Sequence, residues 1–364
     1  MFTSHPKPIK RTIFILIFLI LQSIIPINPF QSFSSHAFAE GRGLPRLLRG
    51  EITAQKALGA EEIARTYLDE IRSRIRQQRT NSDGKRTPTR LDLGIQGSTI
   101  NVPGNFRTIQ QAIDAALDGD TILVASGIYK ETLDINNKSL TLKGEDKGFT
   151  IIDGSNRKEL PAVFADGRDI NISGFTIKNS IAGIWIDNSK GSVISDNIID
   201  KNQLLGVLCL DSTVEIIDNL VTNTIPFRGE FGRGIETDDS NVMLRGNTIS
   251  GNAEIGVFTS RITGSIVQNI IRDNKERGIS IQDSFNIDIT DNSIEVNAKA
   301  STLKYGIAIF NTDTVLIANN VVKNNDFGLV LGNSSSVRVS DNVIEKNAGF
   351  GISTFASKNI EITK

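Results

Sequence analysis

The feature that most constrains this chain is a repeat of about 22 residues running through its second half. One Asn recurs as Asn197, Asn219, Asn247, Asn269, Asn292, Asn320 and Asn342, in steps of 22 or 23 with two steps of 28. A glycine column (Gly183, Gly206, Gly234, Gly256, Gly278, Gly306, Gly328, Gly351) keeps the same period and the same two long steps. Apolar residues travel with both. Three before the Asn stand Ile194, Ile216, Leu244, Ile266, Ile289, Ile317 and Val339, and directly after the glycine stand Ile184, Val207, Ile235, Val257, Ile279, Ile307, Leu329 and Ile352. Two after the Asn stand Ile199, Val221, Ile249, Ile271, Ile294, Val322 and Ile344. Each unit therefore supplies three short β-branched segments parted by turns.

Such a unit cannot bury its apolar side chains by itself, but it can do so against a copy of itself. Like segments then stack into parallel sheets about 4.8 Å apart, with the apolar columns inside. Leucine-rich repeats share the length, but the Leu-x-x-Leu-x-Leu framework is absent and no unit has room for a helix. The expected fold is all-β: a parallel β-helix of ~22-residue coils. The second Asn of each unit (Asn202, Asn252, Asn274, Asn297, Asn325, Asn347) is expected to stack as a hydrogen-bonded ladder at a turn. The glycines supply either positive φ or room at a bend.

The N-terminus has the pattern of a secretion signal. Lys7, Lys10 and Arg11 precede "TIFILIFLILQSII", and Ala37-Phe38-Ala39 offers a small-x-small cleavage site. The alternative is an uncleaved anchor, the only membrane contact the sequence suggests. Removing residues 1–39 takes three positive and no negative charges, so the formal charge of −1 becomes −4. That acidity argues against a nucleic-acid partner. Both histidines, His5 and His36, go with the signal, which excludes His-based acid–base catalysis, Ser-His-Asp triads and His-ligated metals in the mature chain. Cys209 is the one cysteine, so no intrachain disulfide forms, and its apolar setting makes it a small core residue.

The expected organisation is a signal at 1–39, a helical segment at 40–79, a polar linker at 80–99 and the solenoid at 100–364. Within the helical segment, Ala60, Ile63, Ala64, Tyr67, Leu68, Ile71 and Ile75 recur every three or four residues as one stripe, for docking on the chain's own domain or on a partner. A second, short helix is expected at "RTIQQAIDAAL", where Ile109, Ala112, Ile113 and Ala116 share a face.

From Asn101 onward these repeats resemble right-handed parallel β-helix proteins of the pectin-lyase-like superfamily. The "TIQQAIDAALDGDTILVASGIYKETLDINNKSLTLKG" stretch resembles the opening of such domains, where a short helix caps the solenoid's end. The resemblance extends to the broad group that includes carbohydrate-active β-helices and a periplasmic copper-associated β-helix protein. It implies the right-handed fold and, more weakly, a secreted, periplasmic or cell-surface protein that meets a polysaccharide or cell-envelope glycan. Family motifs are missing: the mature chain cannot supply the Gly-His-Gly of polygalacturonases, and it lacks the Asp-Pro-His-Asp of alginate epimerases. With no mature His and Met243 as the only Met beyond the signal, soft ligands for copper are lacking.

The pattern breaks twice, by insertion, in "TIPFRGEFGR" and in "AKASTLKY". Both fall just before the glycine, so both are expected on one side of the solenoid, three coils and roughly 14 Å apart. They would wall a groove whose floor is the strand after each glycine. Alternation places Trp185, Leu208, Leu210, Glu236, Asp238, Phe258 and Phe310 outward. Asp211, Asp238, Asp239, Arg261 and Asp283 are expected to cluster there, beside Arg228, Glu230 and Arg233 of the insertion.

One reading is a site for an acidic polysaccharide: Asp211, Arg228, Arg233, Glu236 and Asp283 contact it, and Trp185 and Phe258 stack on sugar rings. Asp238, Asp239 and Asp283 would hold Ca²⁺. Likeness to pectate lyases then implies Asp238, Asp239 and Arg261 as the catalytic group, with Arg261 or Arg233 as base. Paired carboxylates in glycoside hydrolysis are the alternative chemistry. The non-catalytic alternative is a structural or interaction module with Leu208, Leu210, Phe310 and Phe355 as a docking stripe. The chain ends inside a further coil, "KNIEITK", so an end-to-end or protein partner at that edge is a further expectation.

Overall fold

The structure is a computed structural model and describes residues 66, 68–77, 79, 97–227, 231–295 and 304–364. By its contacts the chain divides into Met1–Arg65 and Thr66–Lys364. The first unit, with the expected signal and the N-terminal half of the helical stripe, lies outside the described residues, as does most of the linker. The second unit is a right-handed parallel β-helix.

Three parallel sheets run along the solenoid, one of 12 strands and two of 10. The stacking read from the repeat is the stacking observed. Ile194 pairs with Ile216, then in succession come Leu244, Ile266, Ile289, Ile317 and Val339. In the sheet that carries the glycines, Ile184, Val207, Ile235, Val257, Ile279, Ile307 and Leu329 pair likewise. These columns merge into one continuous buried interior, with Cys209 inside it. Burial pushes the Cys209 thiol well above its usual range, so it stays a thiol.

The short helix spans Ile109–Ala115 and turns Ile109, Ala112 and Ile113 into the first coils. Seven residues make a weak helix, and its ends are pinned from outside. Thr108 Oγ1 accepts from Gln111 N at 3.2 Å, and the Glu131 carboxylate accepts from the N–H groups of Ile109 and Gln110, each at 3.0 Å. At the other end Lys138 Nζ donates to the carbonyls of Ile113, Asp114 and Ala116 at 2.7, 2.8 and 2.8 Å. Anion at the N-terminus and cation at the C-terminus both match the helix dipole.

The continuous amide contacts belong to the first Asn of each unit rather than the second. Asn197 Nδ2 donates to Asn219 Oδ1 at 3.1 Å, and the same bond repeats through Asn247, Asn269, Asn292, Asn320 and Asn342 at 2.9–3.1 Å. Each amide also donates to a buried carbonyl, as Asn269 does to Leu244 O at 2.8 Å. In the second column Asn252 bonds Asn274 and Asn325 bonds Asn347, but Thr224 stands between Asn202 and Asn252, and Asn297 lies outside the described residues.

The glycines provide room, not positive φ. A Cβ on Gly256 would meet Asn274 Nδ2, Gly278 O and Ile271 Cγ2, each at 2.8 Å. Positive φ sits instead at the corner that follows each strand of this sheet: Asn188, Asp211, Asp239, Arg261, Asp283, Asn311 and Asn333 all have φ between 47° and 52°. Asn and Asp adopt this backbone at least cost among non-glycine residues.

Gly256→Ala should therefore destabilise the protein by about 1–3 kcal/mol. Asn269→Ala should cost a similar ~1–3 kcal/mol by stranding buried amide and carbonyl groups. The exposed Lys346→Ala should stay within about 0.5 kcal/mol of wild type. Urea denaturation followed by far-UV circular dichroism measures all three.

Candidate functional site

The outward side chains of the glycine-bearing sheet form the candidate face. Phe164, Trp185, Leu208, Glu236, Phe258, Ser280 and Ala308 lie in one column, each opposite the next. This face has two parts of different character.

Over the first coils it is sealed by the helix at 68–77. Leu68, Ile71 and Ile75 pack on Phe164, Trp185, Leu205 and Leu208. The stripe expected from the sequence thus docks on its own solenoid. Two arginines clamp it. Arg72 Nε donates to Asp187 at 2.7 Å and Arg72 Nη2 to Asp211 at 3.2 Å. Arg79 Nε donates to Asp134 at 3.0 Å, its guanidinium also pairs with Asp166, and it stands 5.0 Å over the Phe164 ring. Burial raises the Asp187 carboxyl pKa, opposed by Arg72 and Arg76.

This corrects three expectations. Trp185 points outward as alternation requires, yet it is fully buried, edge-on to Phe164 at 5.7 Å, and is not available to stack on a sugar. The Asp211 carboxylate is held by Arg72, which it shares with Asp187, and not by Arg261. Leu208 is covered and Leu210 packs with it, so the docking stripe is broken: Phe310 and Phe355 form a separate pair at 6.1 Å.

Beyond the helix the face turns polar without becoming open. Arg233 is 2% exposed and lies between two rings, 4.3 Å from the centre of Phe231 and 4.0 Å from that of Phe258. Its Nη1 donates to Glu236 at 3.1 Å and its Nε to Glu254 at 3.0 Å. Two and three coils beyond Arg233 stand Glu276 and Arg277, then Lys304 and Tyr305. Arg277 Nη1 donates to Ser280 Oγ at 3.1 Å, and its guanidinium lies 5.6 Å from the centre of the Tyr305 ring. Glu254, Glu276 and Lys304 precede Ile255, Arg277 and Tyr305, which are in register, so they stack on three successive coils.

Burial pushes the Glu236 carboxyl up, with Glu254 and Asp238 adding and Arg233 opposing. Burial likewise pushes Glu276 up, reinforced by Glu254 and opposed by Arg277, Arg233 and Lys304. Lys304 is wholly buried, and among the described residues its Nζ has no hydrogen-bond partner. Arg233 and Tyr305, where the two insertions rejoin the sheet, occupy equivalent strand positions three coils apart.

At the neighbouring corner Arg261 closes on the aspartates. Its Nε donates to Asp239 Oδ1 and its Nη2 to Asp239 Oδ2, each at 2.6 Å, and Nη2 also pairs with Asp238. The bond to Asp239, with the charges of both carboxylates, raises the Arg261 pKa further. A guanidinium held this way is a poor base. It also takes the place a cation would occupy. Asp283 is engaged separately, accepting from Asn311 Nδ2 at 3.0 Å. Among the described residues no group of three or more His, Cys, Asp or Glu side chains is placed to hold a metal ion. Arg233 lies 4.0 Å over the Phe258 ring, so that ring face is already occupied. Arg228 and Glu230 lie outside the described residues.

Of the residues expected at the site, Arg233, Glu236 and Phe258 come together. Glu254, Glu276, Arg277, Lys304 and Tyr305 were missed. They sit one or two positions before the glycine, and the same 22-residue arithmetic applied there finds them.

With this geometry in hand, the comparisons place the chain. A profile described as "right handed beta helix region" matches residues 161–322 and 301–364, more than half the chain, and the chain belongs to that family. A cell surface glycoprotein of Methanothermus fervidus is 34% identical over 114 residues, which cover 30% of this chain and 18% of that protein. The match thus spans under a fifth of that relative's length. Among solved structures, the Dettilon tailspike protein superposes with a TM-score of 0.53 at 13% identity, over 71% of this chain and 59% of the other. The complex of XylC with xylose gives 0.51 at 10% identity, over 68% and 66%. Both likenesses are of fold.

Two measurements check the site. The single tryptophan, Trp185, should fluoresce as a buried indole and resist acrylamide, and Leu68→Ser/Ile71→Ser should shift its emission to the red. Because the folded pKa of Glu276 is raised, its ionised form costs stability above that pKa and the cost fades as the carboxyl takes up its proton. Glu276→Gln should therefore raise Tm at pH 7–8, by about 1–3 °C, with the gain shrinking towards pH 4.

Proposed function

We propose that this chain is an exported β-helix protein of the cell surface or periplasm, and that it binds polysaccharide on the outer face of the glycine-bearing sheet, between Arg233 and Tyr305. One observation carries the reading: three cations and three carboxylates, largely withdrawn from water, gather on an outer solenoid face where both insertions rejoin it. Burying charge opposes folding unless it is paired, so a concentration of it on one face speaks for a ligand. The regular coil repeat gives such a face the length an extended polymer needs. The name of the M. fervidus relative supports the cell surface, and XylC, solved with xylose, is a similar fold that holds a sugar.

Catalysis is a second reading, favoured by Glu236 and Glu276. A carboxyl kept protonated nearer neutrality is a proton donor of the kind glycosidic cleavage uses. Its base or nucleophile would come from Glu254, not from Arg261.

Affinity electrophoresis of the full chain through gels containing a panel of polysaccharides tests binding. Retardation by at least one polymer is expected, and Arg277→Ala should weaken it about tenfold or more. Reducing-end release, or absorbance near 232 nm from an unsaturated uronate, tests cleavage, and Glu276→Gln should abolish either signal. Migration unaltered by every polymer would leave the interaction-module reading in its place.

A further inference from the structure

Lys304 is the least explained charge in the molecule. It is fully buried at the end of the second insertion, on the strand entry that leads into Tyr305. Its Nζ carries three N–H donors, yet among the described residues none of them meets an acceptor. Neighbours that could pair with it are committed or unbonded. Glu254 is taken by Arg233 Nε at 3.0 Å, and Glu276, one coil below in the same column, makes no hydrogen bond to it. An ammonium removed from water without a partner is strongly unfavourable. The fold does not require a cation here, since the equivalent positions on the preceding coils are Glu276 and Glu254.

We propose that Lys304 anchors an oxyanion substituent, a carboxylate or a sulfate, on the sugar bound at this face. The proposal rests on the polysaccharide reading above and names the class of polymer. The charges around the site support it. Arg233, Glu236 and Glu254 form a bonded group of their own. What remains is Arg277 and Lys304 against Glu276, whose charged form its burial disfavours. Two cations then face one carboxylate, a surplus of positive charge. A bound oxyanion supplies acceptors to the Lys304 ammonium and neutralises the surplus, whereas a sugar hydroxyl supplies an acceptor without the charge.

The test uses the full chain with three polymers: polygalacturonate for carboxylate, dextran sulfate for sulfate, and dextran as the neutral control. Affinity electrophoresis gives the dissociation constants for wild type, Lys304→Met and Lys304→Arg, and calorimetry gives their Tm values. Wild type should bind one anionic polymer at least tenfold more tightly than dextran, and the preferred polymer identifies the oxyanion. Lys304→Met should erase that preference, and Lys304→Arg should keep part of it. The Tm of Lys304→Met should equal or exceed that of wild type, because an unpaired buried charge is removed. A loss of binding with a lowered Tm in both variants would assign Lys304 a structural role and overturn the proposal. So would equal binding of dextran and both anionic polymers, or wild-type affinity in Lys304→Met, and these two results would leave the polysaccharide reading intact. Failure of wild type to bind any of the three, followed by failure on the wider panel, would remove that reading and this proposal together.

Discussion

The structure depends on register between coils. A parallel solenoid gains its core only if each apolar segment lies over its counterpart, and a slip of one residue would turn the interior side chains outward. Isoleucine and valine cannot enforce this alone, since apolar contacts tolerate sliding. The buried Asn amides can. Asn219 Nδ2 reaches Asn247 Oδ1 at 3.1 Å and Ile194 O at 2.9 Å. Any slip leaves those groups unpaired in the interior, at about 1–3 kcal/mol each. Apolar columns supply the driving force for stacking, and the amide column selects one stacking among many.

The same constraint governs what a sequence can reveal about such a protein. Interior positions are dictated by the coil above and below, so the columns through Ile235 and Val257 or Leu244 and Ile266 were legible from spacing alone. The corners are dictated by the backbone. Asp211, Asp239 and Asp283 occupy left-handed positions where Asn or Asp is the ordinary choice, and their carboxylates come with that choice. An aspartate at such a corner is therefore no sign of metal chemistry by itself. Arg261 at the same corner is the informative exception, and it answers Asp238 and Asp239 rather than a ligand.

The outer face was legible in direction but not in environment. Alternation placed Trp185 and Phe258 on the outside correctly. What covers Trp185 is a helix more than a hundred residues earlier in the chain, whose arginines at 72 and 79 match acidic residues on several coils. Its apolar stripe showed that it needed a surface, but a stripe does not say which. Phe258 is covered by Arg233, the first residue of the strand that follows an insertion. Insertions carry no periodic signal, so the residues at their ends, Arg233 and Lys304, have to be counted back from the glycine that follows.

A repeat protein carries its own control experiment. The column that holds Glu236 is Phe164, Trp185 and Leu208 before it and Phe258, Ser280 and Ala308 after it. The column that holds Arg233 and Arg277 also holds Leu205, Tyr305 and Phe327. Aromatic, aliphatic and small side chains serve the same backbone on adjacent coils, so the fold accepts an apolar residue at these positions. Charge appears on four consecutive coils beside the insertions, where burial makes it unfavourable. Under the threshold logic of stability, such a departure persists where it serves something other than folding. That contrast between neighbouring coils, more than any single residue, marks the face from Arg233 to Tyr305 as the part of the molecule shaped by a ligand.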